Sequence, residues 1–564
     1  MRTFCQPLLA LVLAWSLGAA AAAAGGEAAK DSPGELLYNG IRLPRDWPPR
    51  AAALAGEPMP VPYLQNPPAV IPIDVGRQLF VDDFLIDRTT LKRTFHRPQP
   101  HGANPVLRAD KPWEREGKAP FAAVFSDGVW FDPADRLFKM WYMAGLFGGT
   151  CYATSRDGVR WGRPALDIEK DTNVVLRGWR DSSTTWLDYA EKDPARRFKM
   201  ATATRGQGRG FLLVLRFSPD GVHWGQPVAE SSPCGDRSTI FYNPFRRVWV
   251  WSLRSNTRGR DRTYRECADL AAGATWQDAD KVLWVGADRL DPHHPNPDFA
   301  GIVPQLYNLD AAAYESLLLG LFSVWQGPEN SECAKRGIHK RNEVLVGFSR
   351  DGFHWDRPDR RPFIGVSEDK AAWNCGNVQS AGGGCLVVGD RLYFYHSGRA
   401  LGASFWDGGA STGLATLRRD GFASMDAGAD EEGTLTTRPV TFRGKHLFAN
   451  VAAADGELHA ELLDADGKTI EPFSRANCMP VRADKTLQAV TWQGADDLAA
   501  ANGRPVRFRF YLKGGALYAF WVSLDKAGAS HGYVAAGGPG FTGPTDTVGE
   551  GAYRAAEEQA RAGQ

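Results

Sequence analysis

The chain has almost no excess charge of either sign: 66 Lys and Arg stand against 65 Asp and Glu, a formal net charge of +1. That balance removes the electrostatic case for nucleic acid or an anionic membrane surface as a partner. Beyond the N-terminus there is no apolar run long enough to cross a bilayer, so no membrane span is expected. Long segments of 3.6-residue period are missing as well; only Ala552 to Arg561 read as helical. Cysteine is sparse, with eight residues and no C-x-x-C pair, which argues against a zinc ribbon or a thioredoxin-like centre. A phosphate-binding glycine loop, a serial Ser/His/Asp order and a dinucleotide fingerprint are all absent. The glycine cluster Gly206-Gln-Gly-Arg-Gly210 stands alone between strand-like runs. No cofactor and no metal are therefore expected.

The N-terminus carries one early charge, Arg2, then an apolar stretch from Leu8 to Leu17, then small residues from Ala19 to Ala24. This is the pattern of an export signal over residues 1–24, and it predicts a periplasmic or extracellular protein. The apolar stretch is too short for a spanning helix. Cys5 precedes it, which argues against a lipoprotein anchor. Loss of Cys5 leaves seven cysteines, so at least one thiol stays free. One or two disulfides of open connectivity are expected for an exported chain.

What the chain has in abundance is 61 Gly, 36 Pro and 19 Trp, arranged around one repeated phrase. Ser155-Arg-Asp-Gly-Val-Arg-Trp161, Ser218-Pro-Asp-Gly-Val-His-Trp224 and Ser349-Arg-Asp-Gly-Phe-His-Trp355 each end a strand-like run. Asp-Gly supplies a tight turn, with the glycine free to take positive φ. The Trp that closes the phrase is large enough to plug the gap between neighbouring sheets. The unit around the phrase can be traced five times, with Phe-Lys-Met at matching places in Leu137-Phe-Lys-Met-Trp-Tyr142 and Arg197-Phe-Lys-Met200. In the third unit the phrase has decayed to Glu266-Cys-Ala-Asp-Leu270 followed by Trp276. Runs of four to seven residues separated by Asp/Gly/Pro turns are strand chemistry. Five such units predict an all-β chain with a five-bladed β-propeller over residues 76–430. The alternative is a large β-sandwich with accidental internal similarity.

Residues 25–75 are rich in proline and alanine and read as an extended strap. From Leu435 to Leu524 alternating strands with Asp-Gly turns predict a C-terminal β-sandwich over residues 431–535. The Gly- and Ala-rich residues 536–564 read as a flexible tail.

With the five units, the Ser-x-Asp-Gly-x-x-Trp turns, strand-opening Asp residues and the appended sandwich on the page, the chain resembles the glycoside hydrolases of families 32 and 43. Leu79-Phe-Val-Asp-Asp-Phe84, Lys139-Met-Trp-Tyr142 and Leu417-Arg-Arg-Asp-Gly-Phe422 are the pieces most similar to secreted bacterial proteins of that type. The resemblance covers residues 76 to about 525. It implies a carbohydrate substrate and three carboxylates at the funnel, near the starts of innermost strands. Asp127, Asp181 and Asp236 stand at matching offsets in the first three units and are the implied catalytic residues. The Trp-Met-Asn-Asp-Pro type of nucleophile motif is absent, and Gln305 stands where the fourth unit would open with Glu. Glu266-Cys267 looks like the Glu-Cys acid motif, yet it occupies the place of a Ser-x-Asp turn on an outer strand. The general acid is thus unassigned.

Cleavage of a glycosidic bond needs one protonated and one ionised carboxyl on either side of it. Strand-opening Asp residues converging on one axis meet that need; the simpler reading is that each caps its turn, as in Asp127-Gly128. Further substrate-binding candidates are Glu114 on the entry loop of the first unit, Trp130 and Trp186 as aromatic walls, Arg237 beside Asp236, and Glu332 in the insertion of the fourth unit. For Glu114 a solvated loop charge is the alternative, and for Arg237 a pairing with its neighbours. His293-His294 reads as loop polarity rather than a metal site. A non-catalytic carbohydrate-binding propeller and an interaction scaffold remain open alternatives, as does the oligomeric state.

Overall fold

The computed structural model describes residues 34–208, 210–402 and 407–563. The export signal falls outside the described residues. The chain is all-β: strands and short turns of 3-10 helix make up nearly everything described, and Glu550–Ala562 is the longest helix. No described helix is long and apolar enough to cross a membrane.

Five antiparallel sheets follow one another along the chain. The first holds Ala122–Ala123, Val129–Asp132, Leu137–Ala144, Thr150–Ser155 and Val174–Leu176; the second holds Ser183–Leu187, Phe198–Gly206, Gly210–Ser218 and Ala229–Glu230. The third holds Thr239–Asn243, Val248–Ser255, Asp261–Cys267 and Val282–Gly286. The fourth is built on Gln305–Glu315, Leu317–Gly327 and Arg341–Ser349, and the fifth on Gln379–Ser380, Leu386–Val388, Arg391–Arg399 and Ala410–Arg418. In each sheet the chain runs outward from its first strand. First strands pack on first strands from the first sheet to the second, the second to the third and the third to the fourth; Gln379–Ser380 of the fifth sheet packs on Leu317–Gly327 and Arg341–Ser349 of the fourth and returns to the turn Phe125–Asp127 of the first. The early segment Gln99–Pro100 pairs with Ala410–Arg418 and so supplies the outer edge of the fifth sheet.

The repeated phrase forms the same turn three times. The Ser hydroxyl accepts the glycine N–H (2.8 Å at Gly158, 2.9 Å at Gly221, 3.0 Å at Gly352), and the Asp Oδ1 accepts the next two N–H groups. Each glycine has φ between +75° and +87°, which a side chain adopts only with strain. The gap between sheets is closed by aromatic donors from the neighbouring sheet rather than by the phrase's own Trp. Trp141 Nε1 of the first sheet donates to Gly221 O at 2.7 Å, and Trp284 Nε1 of the third to Phe353 O at 2.8 Å. Tyr395 of the fifth sheet donates to Gly158 O of the first. Trp161 and Trp224 are only half-buried, while Trp355 is buried. The expectation that the phrase Trp plugs the gap holds for one copy in three.

Two more sheets lie beyond. A six-stranded one contains His446–Ala452, Asp484–Val490 and Gly515–Ser523; a four-stranded one contains Gly433–Thr437, Glu457–Leu463 and Arg507–Lys513. They share one apolar core that includes Leu447, Val451, Leu458, Phe508, Phe510 and Phe520. The expected boundaries need correction. Gln78–Leu79, Ile86–Thr89, Lys92–Phe95 and Ala423–Ala427 lie in the segment assigned to the propeller, yet they pair with strands of these two sheets. Unpaired edges of these sheets find partners there. The strap is more than a linker: Leu37, Ile41, Leu43, Val61, Tyr63, Ile71 and Ile73 enter the same core, and Ile71–Pro72 pairs in parallel with Val440–Thr441.

The tail is ordered, against the expectation of flexibility. Just before it, Tyr533–Val534, at the end of the segment expected to belong to the sandwich, pairs instead with Gln305–Glu315 of the fourth sheet. Ala536 accepts from Phe131 N at 3.0 Å and donates to Cys385 O at 3.0 Å, which ties the tail to the first and fifth sheets. Along Glu550–Ala562, Ala552 is fully buried, and Gln559 donates to Arg136 O and Arg156 O. Small residues hide such packing from composition, because they bury backbone contacts instead of large side chains. The seven described cysteines are all free thiols, so the expected disulfides do not form among them.

Candidate functional site

The starts of the first strands carry the charge. Asp127 closes the short turn before Val129–Asp132, Asp181 precedes Ser183–Leu187, and Asp236 precedes Thr239–Asn243. Because successive first strands are neighbours, their leading residues meet at one end of the five sheets. Ser182 Oγ donates to Asp236 O at 2.7 Å, linking the second opening to the third. All three Asp residues therefore enter one cluster, and Arg237 is its hub. Arg237 Nε lies 3.2 Å from Asp181 Oδ1, and its charge also acts on Asp127 and Asp236.

Each carboxylate has its own arginine. Arg180 meets Asp127 through Nη2–Oδ1 at 2.8 Å and Nη1–Oδ2 at 3.1 Å. Arg254, at the end of Val248–Ser255, pairs with Asp236. Exposure separates the three. The Asp127 side chain is wholly buried, that of Asp181 is 10% exposed and that of Asp236 28%. Their protonation separates too. Burial pushes the Asp127 carboxyl up to about 6 against the pull of Arg180 and Arg237. Burial also raises Asp181, with the Asp236 charge adding to it and Arg237 and Lys340 opposing. At Asp236 burial acts upward but Arg254 and Arg237 outweigh it, and its carboxyl sits below the usual range. Two adjacent carboxyls with pKa values pushed apart are the arrangement that acid–base chemistry uses.

Around them stand groups that sequence reasoning did not find. Lys340 Nζ donates to Tyr307 Oη at 2.8 Å. Burial would raise the Tyr307 phenol, but Lys340 and Arg237 bring it down to about 8. Arg399, the last residue of Arg391–Arg399, lies with its guanidinium 4.9 Å from the Phe121 ring centroid and within the field of Asp181, Arg237 and Tyr307. Beneath this layer Asp310 accepts from Ser380 Oγ at 2.5 Å and Asn308 Nδ2 at 2.9 Å, and burial lifts it to about 6. The signal in the sequence was positional: Arg254 and Arg399 both close the second long strand of their sheets, and Arg180-Asp181 and Asp236-Arg237 are adjacent acid–base pairs.

Other candidates go elsewhere. Glu114 is neither a solvated loop charge nor free for a ligand. It is wholly buried and accepts from Tyr142 Oη at 2.6 Å, Arg163 Nε at 2.7 Å and the N–H groups of Asp110 and Lys111. Trp130 and Trp186 do not wall the carboxylates. A strand advances about 3.3 Å per residue, so Trp186, five residues after Asp181, reaches the far end. There the two rings lie 4.7 Å apart and line a cavity of 540 Å³ with Tyr189, Tyr242 and Tyr533. Glu332 pairs with Arg336 one turn along the helix Asn330–Arg336. Glu266 pairs with Arg246 and accepts from Tyr264 Oη at 2.5 Å on the outer strand Asp261–Cys267. His293 binds Ala300 O at 2.9 Å and His294 packs on Phe299. Among the described residues no group of three or more His, Cys, Asp or Glu could hold a metal ion.

No protein-family model and no curated protein matches the chain. Solved structures it resembles are glycoside hydrolases. A thermostable family-43 glycoside hydrolase shares 12% identity over 54% of this chain and 93% of its own, with a TM-score of 0.36. A fructofuranosidase from Schwanniomyces occidentalis, complexed with fructose, shares 10% over 73% of this chain and 96% of its own, at 0.34. A glycosyl hydrolase from Bacteroides ovatus shares 13% over 62% and 99%, at 0.37. Likeness at this level carries no chemistry across, so the reading of the site rests on its own residues.

Proposed function

We propose that the five sheets are the blades of a closed five-bladed β-propeller followed by a two-sheet sandwich, and that the charged cluster at the strand-opening ends is the active site of an exported glycoside hydrolase. The succession of contacts from the first sheet round to the fifth and back to the first, and the edge strand Gln99–Pro100 from early in the chain, support the closed propeller. The observation that carries the functional reading is the meeting of strand-opening carboxylates from three consecutive sheets around Arg237, with Asp181 raised and Asp236 lowered.

Roles follow from exposure and protonation. Asp181, whose carboxyl burial and the Asp236 charge raise above its ordinary range, gives its proton to the glycosidic oxygen as the bond to the anomeric carbon breaks. Asp236, ionised and the most exposed of the three, attacks that carbon or takes the proton of the attacking water. Asp127 is too buried to touch a sugar; it holds Arg180 in place. The test begins with a screen of poly- and oligosaccharides for turnover. On an active glycan, Asp236→Asn and Asp181→Asn each lower kcat about 10²–10⁴-fold, and wild-type turnover in either removes that residue from the mechanism.

A non-catalytic carbohydrate-binding propeller is the second reading, favoured by the pairing of every one of the three carboxylates with an arginine. Binding without turnover across the screen selects it. Export rests on the N-terminal apolar run, and mass spectrometry of secreted protein should find a mature start near Gly25; an intact Met1 contradicts it.

A further inference from the structure

The cluster is unbalanced in charge. Arg180, Arg237, Arg254, Lys340 and Arg399 face Asp127, Asp181 and Asp236, leaving two positive charges in excess. Arg180, Arg237 and Arg254 are spent on the three carboxylates. Lys340 is spent on Tyr307. Arg399 has no carboxylate partner among the described residues, and it is not on the surface: only 7% of it is exposed. Among the described residues its Nε has no hydrogen-bond partner, and neither has Nη1 of Arg237 beside it. Aromatic rings support both guanidinia from one side, Phe121 under Arg399 at 4.9 Å and Phe125 under Arg237 at 4.7 Å. This fixes their planes and leaves Arg399 Nε and Arg237 Nη1 for another group, while Arg237 Nε stays with Asp181.

A buried cation with no counter-charge is costly, because desolvation is repaid only by pairing and hydrogen bonds. Here Arg399 touches no carboxylate directly among the described residues; the Tyr307 and Asp181 charges act on it from a distance, against the repulsion of the Arg237 guanidinium. An anion that enters beside both relieves the desolvation and the repulsion together. Planar guanidinia match the paired oxygens of carboxylates and sulfates. A neutral sugar offers only hydroxyls and leaves the excess charge uncompensated.

Building on the carbohydrate reading above, we propose that the sugar bound at this site bears an anionic group, a uronate carboxylate or a sulfate ester, received by Arg399 with Arg237 beside it. Arg399 is then a specificity-determining residue, not a catalytic one.

The test is calorimetry of the full chain with three probes: a galacturonate trisaccharide, a 6-sulfated galactose oligosaccharide and a neutral xylotriose, with turnover followed in parallel. The expected result is that one of the two anionic probes binds at least about tenfold more tightly than xylotriose, less so as salt rises; which one identifies the anion. Arg399→Met should remove that advantage, and Arg399→Lys should restore part of it, since the charge returns without the planar fork. A melting curve of each variant controls for folding. Xylotriose binding or turnover at least equal to that of both anionic probes, unchanged in Arg399→Met, overturns this inference and leaves the glycosidase reading intact. No binding of any probe counts against the carbohydrate site itself and overturns the inference with it.

Discussion

Two clusters of buried charge, built from the same residue types, behave differently. At the seam between the five sheets and the C-terminal pair, Arg77 and Arg419 meet Glu315, Asp420 and Asp546, with every side chain at 0% exposure. Each carboxylate oxygen there has a partner. Asp420 receives Tyr314 Oη at 2.5 Å, Arg77 at 2.9 Å and Asn450 at 2.9 Å, and Asp546 receives Arg419 and the N–H groups of Val548 and Gly549. Carboxylates outnumber cations. At the strand-opening end cations outnumber carboxylates, Asp236 keeps 28% of its side chain exposed, and Arg399 Nε has no acceptor among the described residues. Both seam arginines are paired with seam carboxylates, although Arg77 Nε and Arg419 Nε and Nη1 lack a hydrogen-bond partner among the described residues; in the strand-opening cluster a whole cation, Arg399, has no carboxylate partner among them. Burial of charge therefore says nothing of function until the pairing is followed atom by atom.

The comparison can be broken first at the seam. Asp420→Ala leaves Arg77 and Tyr314 without their acceptor inside the protein and should cost about 3–5 kcal/mol in urea unfolding, with glycan binding per folded molecule unchanged. A variant as stable as wild type would show that the seam does not hold the two parts together.

A smaller loss is expected at the inter-sheet ties. Gly221 has φ +81°, and a Cβ there would lie 2.4 Å from the buried Trp141 ring. Gly221→Ala should cost about 1–3 kcal/mol, read as a lowered Tm; an unchanged Tm would mean that the ring yields.

pH acts with opposite signs on individual carboxyls of each cluster: burial raises Glu315 in the seam, and at Asp236 Arg254 and Arg237 outweigh burial and lower it. Asp420 and Asp546 are held below the ordinary range, as Arg77 and Arg419 outweigh the upward push of burial. Their stabilisation is whole above the unfolded value near pH 4 and is lost as pH falls through the folded values. Burial raises Asp127 to about 6, so its contribution is whole below about pH 4 and is lost as pH rises through 6. Stability measured from pH 4 to 7 should decline less in Asp127→Asn than in wild type, by on the order of 1–3 kcal/mol. Parallel curves would place the titration elsewhere.

The smallest effect belongs to Glu332. Its pair with Arg336 lies on the surface of a short helix, so Glu332→Ala should change stability by less than about 0.5 kcal/mol and leave turnover alone. A large loss of turnover would return it to the site.

Much of this was legible in the sequence. The Ser-x-Asp-Gly turns announced themselves because a turn needs specific residues at fixed places. Asp127, Asp181 and Asp236 were found because the start of a repeated strand is a fixed point in the fold. The direction of a strand was misread: Trp130 and Trp186 belong to the same strands as the acids but to their other end. Arg254, Lys340 and Arg399 were missed because they come from strand ends far away in the chain, which only the packing of one sheet against the next brings together. Glu114 looked like a loop charge since nothing local to it reveals Tyr142 and Arg163. The helix was legible from Ala552 to Arg561, but the tail's Gly and Ala composition concealed its packing against the sheets through Ala552, Ala556 and Gln559.

The most direct measurement pairs kcat with Tm for Asp236→Asn on a glycan that wild type cleaves. The account predicts that kcat falls by about 10²–10⁴-fold while Tm stays within about 2 °C of wild type, since the Asp236–Arg254 pair is part-exposed and worth little to stability. A Tm depressed as in Asp420→Ala with kcat intact would contradict it, and would make the strand-opening cluster a second structural seam.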